Sequence, residues 1–400
     1  MRVLVAHNHY RSSAPSGEDQ VFQNEVALLR RHGIEVSIFE RFNDDIDDSS
    51  LAGRLRVAHE TAWSDRSYRD LQLLIRSSRP DVVHFHNTFP VISPSAYAAC
   101  RDNGIPVVQT LHNFRLICPG GLLLRNGTPC EECVGAGLFP ALRHRCYRGS
   151  LPATGALVWM LLFNRWRDTY GSLVNRYIAL TDFAAERLIA GGLPRERVTI
   201  KPNFVSDIQV PGDGQGGYVV YVGRLSEEKG VRTLLSAWKM VQHVPLKILG
   251  DGPLRKSLEE CASRENLPIQ FLGYCNRRTV VETVSRAAFQ IVPSEWYEGF
   301  PMVIADAYAL GTPIVASRIG SLEEIVEEGT TGTRFEAGNA ADLATKVKGL
   351  WHDHSQCSAL RQGARHAFES KFSAERNFEM LMAVYGVAMG DMVQLSRKAS

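Results

Sequence analysis

Nowhere in this chain does an apolar run reach the roughly 20 residues that a membrane-spanning helix requires. The longest, Ala153 to Phe163, is about half that length. The start, Met1-Arg-Val-Leu-Val-Ala, reads as a strand and shows no basic n-region, apolar core and cleavage site, so no secretory leader is expected. Charge of one sign is lacking too. A formal net charge of +2 over 400 residues offers no bulk electrostatic case for nucleic acid. Tandem repeats and low-complexity segments are also missing. These absences point to a cytoplasmic protein whose eight cysteines are reduced.

What remains is ordinary globular material, 44% hydrophobic and 22% charged, long enough for two domains. The first half alternates short apolar strands with helices. Strands are expected at Val3–Ala6, Val36–Glu40, Asp81–His86, Pro106–His112, Tyr177–Thr181 and Val198–Lys201, with an amphipathic helix over Val21–Arg31 closed by Gly33. Continuous apolar strands between helices argue a parallel sheet covered on both faces. Residues 206–217, rich in Gly and Asp, read as a linker. The alternation then restarts with strands at Tyr218–Val222, Leu246–Leu249, Ile269–Leu272 and Phe289–Val292 and helices from Gly230, Pro253 and Arg278. The expected organisation is α/β. A doubly wound domain spans 1–205 and carries a Cys-containing insert at 118–150. A second doubly wound domain spans 218–373, and a helical stretch at 374–400 packs back on the first. Two such domains facing each other would leave a ligand cleft at their strand carboxyl ends.

The most informative stretch is Ser294 to Ser317. A strand ends in a short polar loop, a helix is expected to start at Pro301, Gly311 ends it, and Ile314–Ala316 open a new strand. Glu298 lies at the helix mouth and Asp306 eight positions on. Exposed helix N–H groups attract phosphate, and a neighbouring carboxylate accepts hydrogen bonds from sugar hydroxyls, so the loop suits a phosphorylated sugar. A second loop, Tyr221-Val-Gly-Arg-Leu-Ser-Glu-Glu-Lys-Gly230, follows a strand and precedes a helix. It places Gly223 at the turn, with Arg224 as a fork and Lys229 as a point charge for phosphate. Gly250-Asp-Gly-Pro and Phe271-Leu-Gly-Tyr274 also follow strands. The first reads as a tight turn or a cleft wall. In the second, Gly273 would admit a flat ring and Tyr274 would line a base pocket, or the segment is a plain strand exit.

Taken together, the Gly-Arg-Leu-Ser-Glu-Glu-Lys-Gly loop, Gly-Asp-Gly-Pro, and Glu298-Gly-Phe with an acid eight residues later resemble the family 4, group 1 retaining glycosyltransferases of GT-B fold. The resemblance covers nearly the whole chain, with the motifs in the family's order and spacing. It implies two Rossmann-like domains, the C-terminal one holding a nucleotide diphosphate sugar (UDP- or GDP-sugar) and the N-terminal one a hydroxyl acceptor, a glycan or a lipid-linked cell-envelope precursor. It also implies a hexosyltransferase-type enzyme of polysaccharide biosynthesis that keeps the anomeric configuration and needs no cofactor or metal for catalysis. Carried over residue by residue, Arg224 and Lys229 bind the diphosphate and stabilise the leaving group. Glu298 contacts donor-sugar hydroxyls, and the N–H groups of Gly299 and Phe300 orient that sugar. Asp306 stands where the family commonly has a ribose-binding Glu, and Pro301 where it has a glycine. His112, after the strand at 107–111, resembles the family's cleft histidine near the reacting centre; it is not assigned as a general base. Gly17, in Ser16-Gly-Glu18, resembles the Gly-rich first loop and could approach phosphates, while Glu18 reads equally as an acid at a helix N-terminus. His84 and His86 share one strand face, either serving the acceptor or packing as satisfied histidines. Two other readings stand beside the enzyme: a non-catalytic nucleotide-sugar-binding subunit and a GT-B sugar-nucleotide epimerase.

Two segments carry expectations of their own. Cys118, Cys130, Cys133 and Cys146, spaced Cys-x11-Cys-x2-Cys-x12-Cys in an insert with little apolar content, suit a structural zinc ion, remain metal-free thiols or include a redox pair. Six Arg and one Asp between Arg143 and Arg176 flank Leu157-Val-Trp-Met-Leu-Leu-Phe, which reads either as a peripheral membrane contact or as a packed helix beside a basic rim.

Overall fold

The short apolar runs bounded by Gly and Pro become two parallel sheets in a computed structural model that describes residues 1–12, 16–47, 50–206 and 210–399. The chain divides into two compact units. The first comprises Met1–Leu123, Glu131–Pro202 and Asn377–Ser400; the second comprises Leu124–Cys130 and Asn203–Arg376.

In the first unit, β1 (Arg2–His9), β2 (Glu35–Phe42), β3 (Val82–Asn87) and β4 (Val107–Leu111) belong to one sheet. A two-stranded hairpin, β5 (Leu124–Arg125) and β6 (Thr128–Pro129), stands apart from that sheet, and β7 (Arg176–Ala179) and β8 (Val198–Ile200) complete it. The order is β2-β1-β3-β4-β7-β8, all parallel. Every residue of β3 and β4 is buried, as two covered faces demand. The helix Ala374–Ala399 supplies Leu381, Val384, Tyr385 and Ala388 to the core formed by Val3, Val5, Phe22, Val26 and Leu29.

The second unit's sheet contains β9 (Val219–Val222), β10 (Leu246–Leu249), β11 (Ile269–Gly273), β12 (Gln290–Val292), β13 (Ile314–Arg318) and β14 (Gly332–Glu336). Its order, β11-β10-β9-β12-β13-β14, reads 3-2-1-4-5-6 in chain sequence. The winding reverses between β9 and β12, and ligands of such sheets bind outside the carboxyl ends of the strands at that reversal. Alternation along β9 sends Val219 and Tyr221 into the core on one face and Val220 into the core on the other.

Several boundaries differ from the sequence reading. The first helix is Gly17–Arg31, four residues longer at its start than expected, because Ser16 accepts from the Glu18 N–H while Asp19 reaches back to the Ser16 N–H in a capping box. The helix expected at Pro301 is Met302–Ala309; Pro301 is its N-cap, with ψ at 99°. The helices after β10 and β11 are Arg255–Arg264 and Arg277–Arg286. Of the expected linker 206–217, residues 207–209 lie outside the described residues. Further on, the Gly212, Gly214 and Gly216 N–H groups donate to the carbonyls of Leu310, Ser285 and Arg286, so this stretch is tied to the second unit.

Candidate functional site

The reversal in the second sheet brings two loops together. One leaves β9 and carries Gly223, Arg224 and Lys229; the other leaves β12 and carries Ser294 and Glu298. Gly230 adopts φ +65°, and a Cβ there would collide with the Pro293 carbonyl oxygen, so only glycine lets the loops meet. The Glu295 N–H donates to the Glu228 carbonyl at 2.9 Å, and Thr233 Oγ1 donates to Glu295 Oε1 at 2.6 Å, closing the seam. Across it, Lys229 Nζ donates to Glu298 Oε1 at 2.6 Å, and Ser294 Oγ donates to the same oxygen at 2.6 Å. Glu298 is buried, whereas the Lys229 side chain is 25% exposed, with its ammonium 5.4 Å above the Trp296 ring. Glu298 Oε2 has no hydrogen-bond partner among the described residues. Arg224 is exposed and its side chain is unpaired among the described residues. The arrangement is a carboxylate held by two donors on one oxygen, open on the other, beside two cations.

The neighbouring strand ends wall this seam. The Gly223 N–H donates to the Leu249 carbonyl, Leu225 N–H to Asp251, and Gly250 N–H to Gly273, so the loops after β9, β10 and β11 are joined by backbone bonds. Gly250, at φ +142°, has no room for a Cβ against the Gly223 carbonyl, which makes Gly-Asp-Gly-Pro a wall and not merely a turn. Asp306, on Met302–Ala309, faces Arg277 Nη1 at 3.4 Å; burial pushes its carboxyl up and the guanidinium pulls it down, with a net rise. Phe300 packs its ring 5.7 Å from that of Phe372, which holds the Gly299–Phe300 backbone at the helix mouth. Tyr274 stands 86% exposed, and the Arg255 guanidinium lies against Gly273.

In the first unit the winding reverses between β1 and β3, and His112 follows the adjacent β4. Gly17 is the exposed first residue of its helix with open space around it. Glu18 is an acid of the helix's first turn, as one of its two readings has it. Its carboxylate accepts from Asn113 Nδ2 at 2.9 Å and Tyr10 Oη at 3.1 Å, and burial pushes it up. Asp19 Oδ1 lies 2.8 Å from His7 Nε2 and 3.4 Å from His9 Nδ1. His84 and His86 are wholly partnered: His84 Nε2 meets Thr110 Oγ1 at 2.8 Å, and His86 Nδ1 meets His112 Nε2 at 3.0 Å. Both rings converge on Glu25 Oε1, each at 2.9 Å. Glu25 Oε2 accepts from Lys201 Nζ at 3.1 Å. Glu25 is 1% and Lys201 2% exposed, and neither was singled out in the sequence. A signal existed: Glu25 occupies the apolar stripe Phe22, Val26, Leu29, where a carboxylate is out of place unless paired. Burial alone would raise Glu25, but Lys201, His84 and His86 outweigh it and hold the carboxyl well below the usual range. Burial pushes His86 down to about 4, and burial and His86 depress His112 well below the ordinary imidazole value.

A groove of about 730 Å³ opens in the same unit, with Leu51, Leu55 and Leu157 on its walls and Arg11, Arg54 and Arg148 at its rim. Part of its wall is the helix Leu151–Trp166, which buries Leu157, Val158, Met160 and Leu161 and exposes Trp159, Leu162 and Trp166. Both expected characters of this segment, packed and exposed apolar, are thus present on opposite faces. Among the described residues no helix is long and apolar enough to cross a membrane.

All eight cysteines are free thiols, and among the described residues no three of Cys118, Cys130, Cys133 and Cys146 bring their sulfurs within 4.8 Å of one another. Cys130 belongs with the hairpin residues Leu124–Cys130, which cluster with the second unit. Among the described residues, the groups with metal-ligand spacing are His7, His9, Asp19 and Glu25, His84, His86.

Two doubly wound units, one presenting an acid–cation pair at its sheet reversal, define the GT-B class of architecture. A family model described as Glycosyltransferase Family 4 matches residues 16–207, and one described as Glycosyl transferases group 1 matches residues 208–367. The chain belongs to the family 4, group 1 glycosyltransferases. It is 31% identical over 192 residues to an uncharacterized glycosyltransferase of Methanocaldococcus jannaschii, covering 48% of this chain and 54% of the relative. It is 27% identical over 311 residues to a glycogen synthase of Mycobacterium tuberculosis, covering 74% of this chain and 66% of that protein. The chain thus spans from about half to about two thirds of the length of these relatives. Among solved structures, Anabaena HepE in complex with UDP superposes with a TM-score of 0.67 at 17% identity, over 96% of this chain and all of the other, which shows a shared fold.

Proposed function

We propose that this protein transfers a hexose from a UDP- or GDP-sugar to a hydroxyl acceptor with retention of anomeric configuration. The observation that carries the reading is the Lys229–Glu298 pair at the reversal of the second sheet, with the second carboxylate oxygen open. Lys229 and Arg224 supply fixed positive charge where a leaving diphosphate gains negative charge, so that no catalytic metal is needed. Glu298 Oε2 accepts from donor-sugar hydroxyls. The Gly299 and Phe300 N–H groups orient that sugar, and Asp306 holds the ribose while competing with Arg277 for its charge. In the front-face reaction the bond between the anomeric carbon and the diphosphate breaks, the acceptor oxygen bonds to the same face, and the acceptor proton passes to the departing phosphate. The solved structure of HepE with UDP supports a uridine nucleotide as the first donor to try.

The acceptor reading is a glycan or lipid-linked envelope precursor met at the cytoplasmic face of a membrane. It is supported by the groove that joins apolar walls to an arginine rim, and by the exposed Trp159, Leu162 and Trp166. The experiment is a turnover assay with a panel of UDP- and GDP-sugars. Wild type should release nucleoside diphosphate, and Lys229→Ala and Glu298→Ala should each lose roughly 100-fold or more. Full activity in both variants would overturn the site; binding of nucleotide sugar without turnover would favour the non-catalytic subunit.

A further inference from the structure

The first unit's buried network fixes which ring nitrogens carry hydrogen. Glu25 is ionised beside Lys201, so its oxygens only accept. His86 Nε2, 2.9 Å from Glu25 Oε1, must therefore carry a hydrogen. With the ring neutral, His86 Nδ1 is a lone pair. His112 Nε2 lies 3.0 Å from that lone pair, with the two rings stacked at 17°, so His112 must donate through Nε2. Its own Nδ1 is then left as a lone pair, and it has no partner among the described residues on a ring that remains half-buried. The chain of donors has one direction, set at its far end by the ammonium of Lys201, which also donates to Asn377 Oδ1 at 2.9 Å. Asn377 Nδ2 in turn donates to the Pro202 carbonyl at 2.7 Å. His84, Tyr385 and His7 also face this chain: His84 lies on Glu25, Tyr385 Oη lies 2.8 Å from His84 Nδ1, and the His7 ring is 6.3 Å from that of His86.

We propose that Glu25 and His86 are positioning residues that lock His112 in its Nε2–H tautomer, so that Nδ1 accepts a hydrogen bond from a hydroxyl of the ligand that this unit binds. This rests on the glycosyltransferase reading and states which edge of His112 meets the ligand and in which protonation state. A ring in this state orients a hydroxyl by accepting from it and has no proton to deliver, which fits a reaction whose proton passes between acceptor and phosphate. The wrong tautomer would present an N–H to the hydroxyl and lose that orientation.

The first test is nitrogen NMR of the full chain carrying labelled histidine, with the His112 signals assigned by their loss in His112→Gln. In wild type, His112 Nδ1 is expected unprotonated and Nε2 protonated. His86→Phe removes the acceptor and should release a mixture of tautomers. His86→Asn restores an acceptor oxygen near the Nδ1 position and should keep the wild-type form. Should His86→Phe not fold, His86→Gln also lacks that acceptor and should behave like it. A proton on Nδ1 in wild type, or an unchanged tautomer without the acceptor, overturns the proposal. The second test is kinetic. In His86→Phe, kcat should fall roughly 10–100-fold with donor KM changed by no more than about twofold, and His86→Asn should recover most of it. Equal losses in both variants would mark a packing role and overturn it. A wild type that turns over no nucleotide sugar would refute the functional reading, while the NMR would still decide the tautomer.

Discussion

Glu298 accepts two bonds of 2.6 Å on one oxygen and keeps the other open, which makes its charge and its reach separable by substitution. Glu298→Gln retains the shape and removes the charge that holds Lys229; turnover is expected to fall at least 10-fold while the fold survives, since Lys229 retains access to water. Activity would be read by nucleotide release and folding by thermal melting. Asp306 offers a different test. If its carboxylate binds the ribose, Asp306→Ala should weaken nucleoside diphosphate binding roughly 10-fold by calorimetry, the loss of a charge-assisted hydrogen bond. Unchanged affinity would remove Asp306 from the site and leave it as the partner of Arg277. Residues of this kind were legible because each sits beside a turn signal, Gly223 and Gly230 for the cations and Gly299 for Glu298. Glu25 and Lys201 were not, because a pair 176 positions apart leaves no local pattern.

Strands were the most legible elements and helix starts the least. The runs of β3, β4, β9 and β10 stand out because both faces are covered, so apolar residues dominate even where His84, Gln109 or Lys247 intervenes. The start at Gly17 was hidden because the capping box uses Asp19 in place of the usual Glu or Gln. Ser16→Ala should cost about 1 kcal/mol by urea unfolding. The seam between the loops after β9 and β12 depends on one glycine. Gly230→Ala, with φ +65° and no room for a Cβ against Pro293, should abolish the thermal shift by UDP or GDP that wild type shows. A retained shift would mean that the loops need not meet. On the helix Leu151–Trp166, Trp159→Ser with Trp166→Ser should abolish sedimentation with anionic liposomes at low salt if the exposed face docks on a bilayer, and absence of binding by wild type would dismiss that role.

Across the whole molecule the buried histidines and Glu25 make stability depend on pH. His86 binds its proton only near pH 4 when folded but near 6.5 when unfolded, so from 6.5 down to about 4 the unfolded state takes up more protons and stability falls. His112 acts in the same direction. Glu25, whose folded carboxyl lies well below the ordinary value of 4.5, adds stability present above that value and lost as the pH falls further. Melting temperature should therefore level off above pH 7 and decline steadily below 6.5, and His86→Asn, which does not titrate, should flatten that decline. The sequence by itself determined two parallel-sheet units and the loops that carry Arg224, Lys229 and Glu298, because strand burial and turn chemistry are written in runs of a few residues. Only the tertiary structure decided which strands adjoin at each reversal. It likewise decided that Glu25, His84, His86, His112, Lys201 and Asn377 share one buried network of donors and acceptors. Those depend on chain winding, which brings together residues whose local sequence holds no trace of one another.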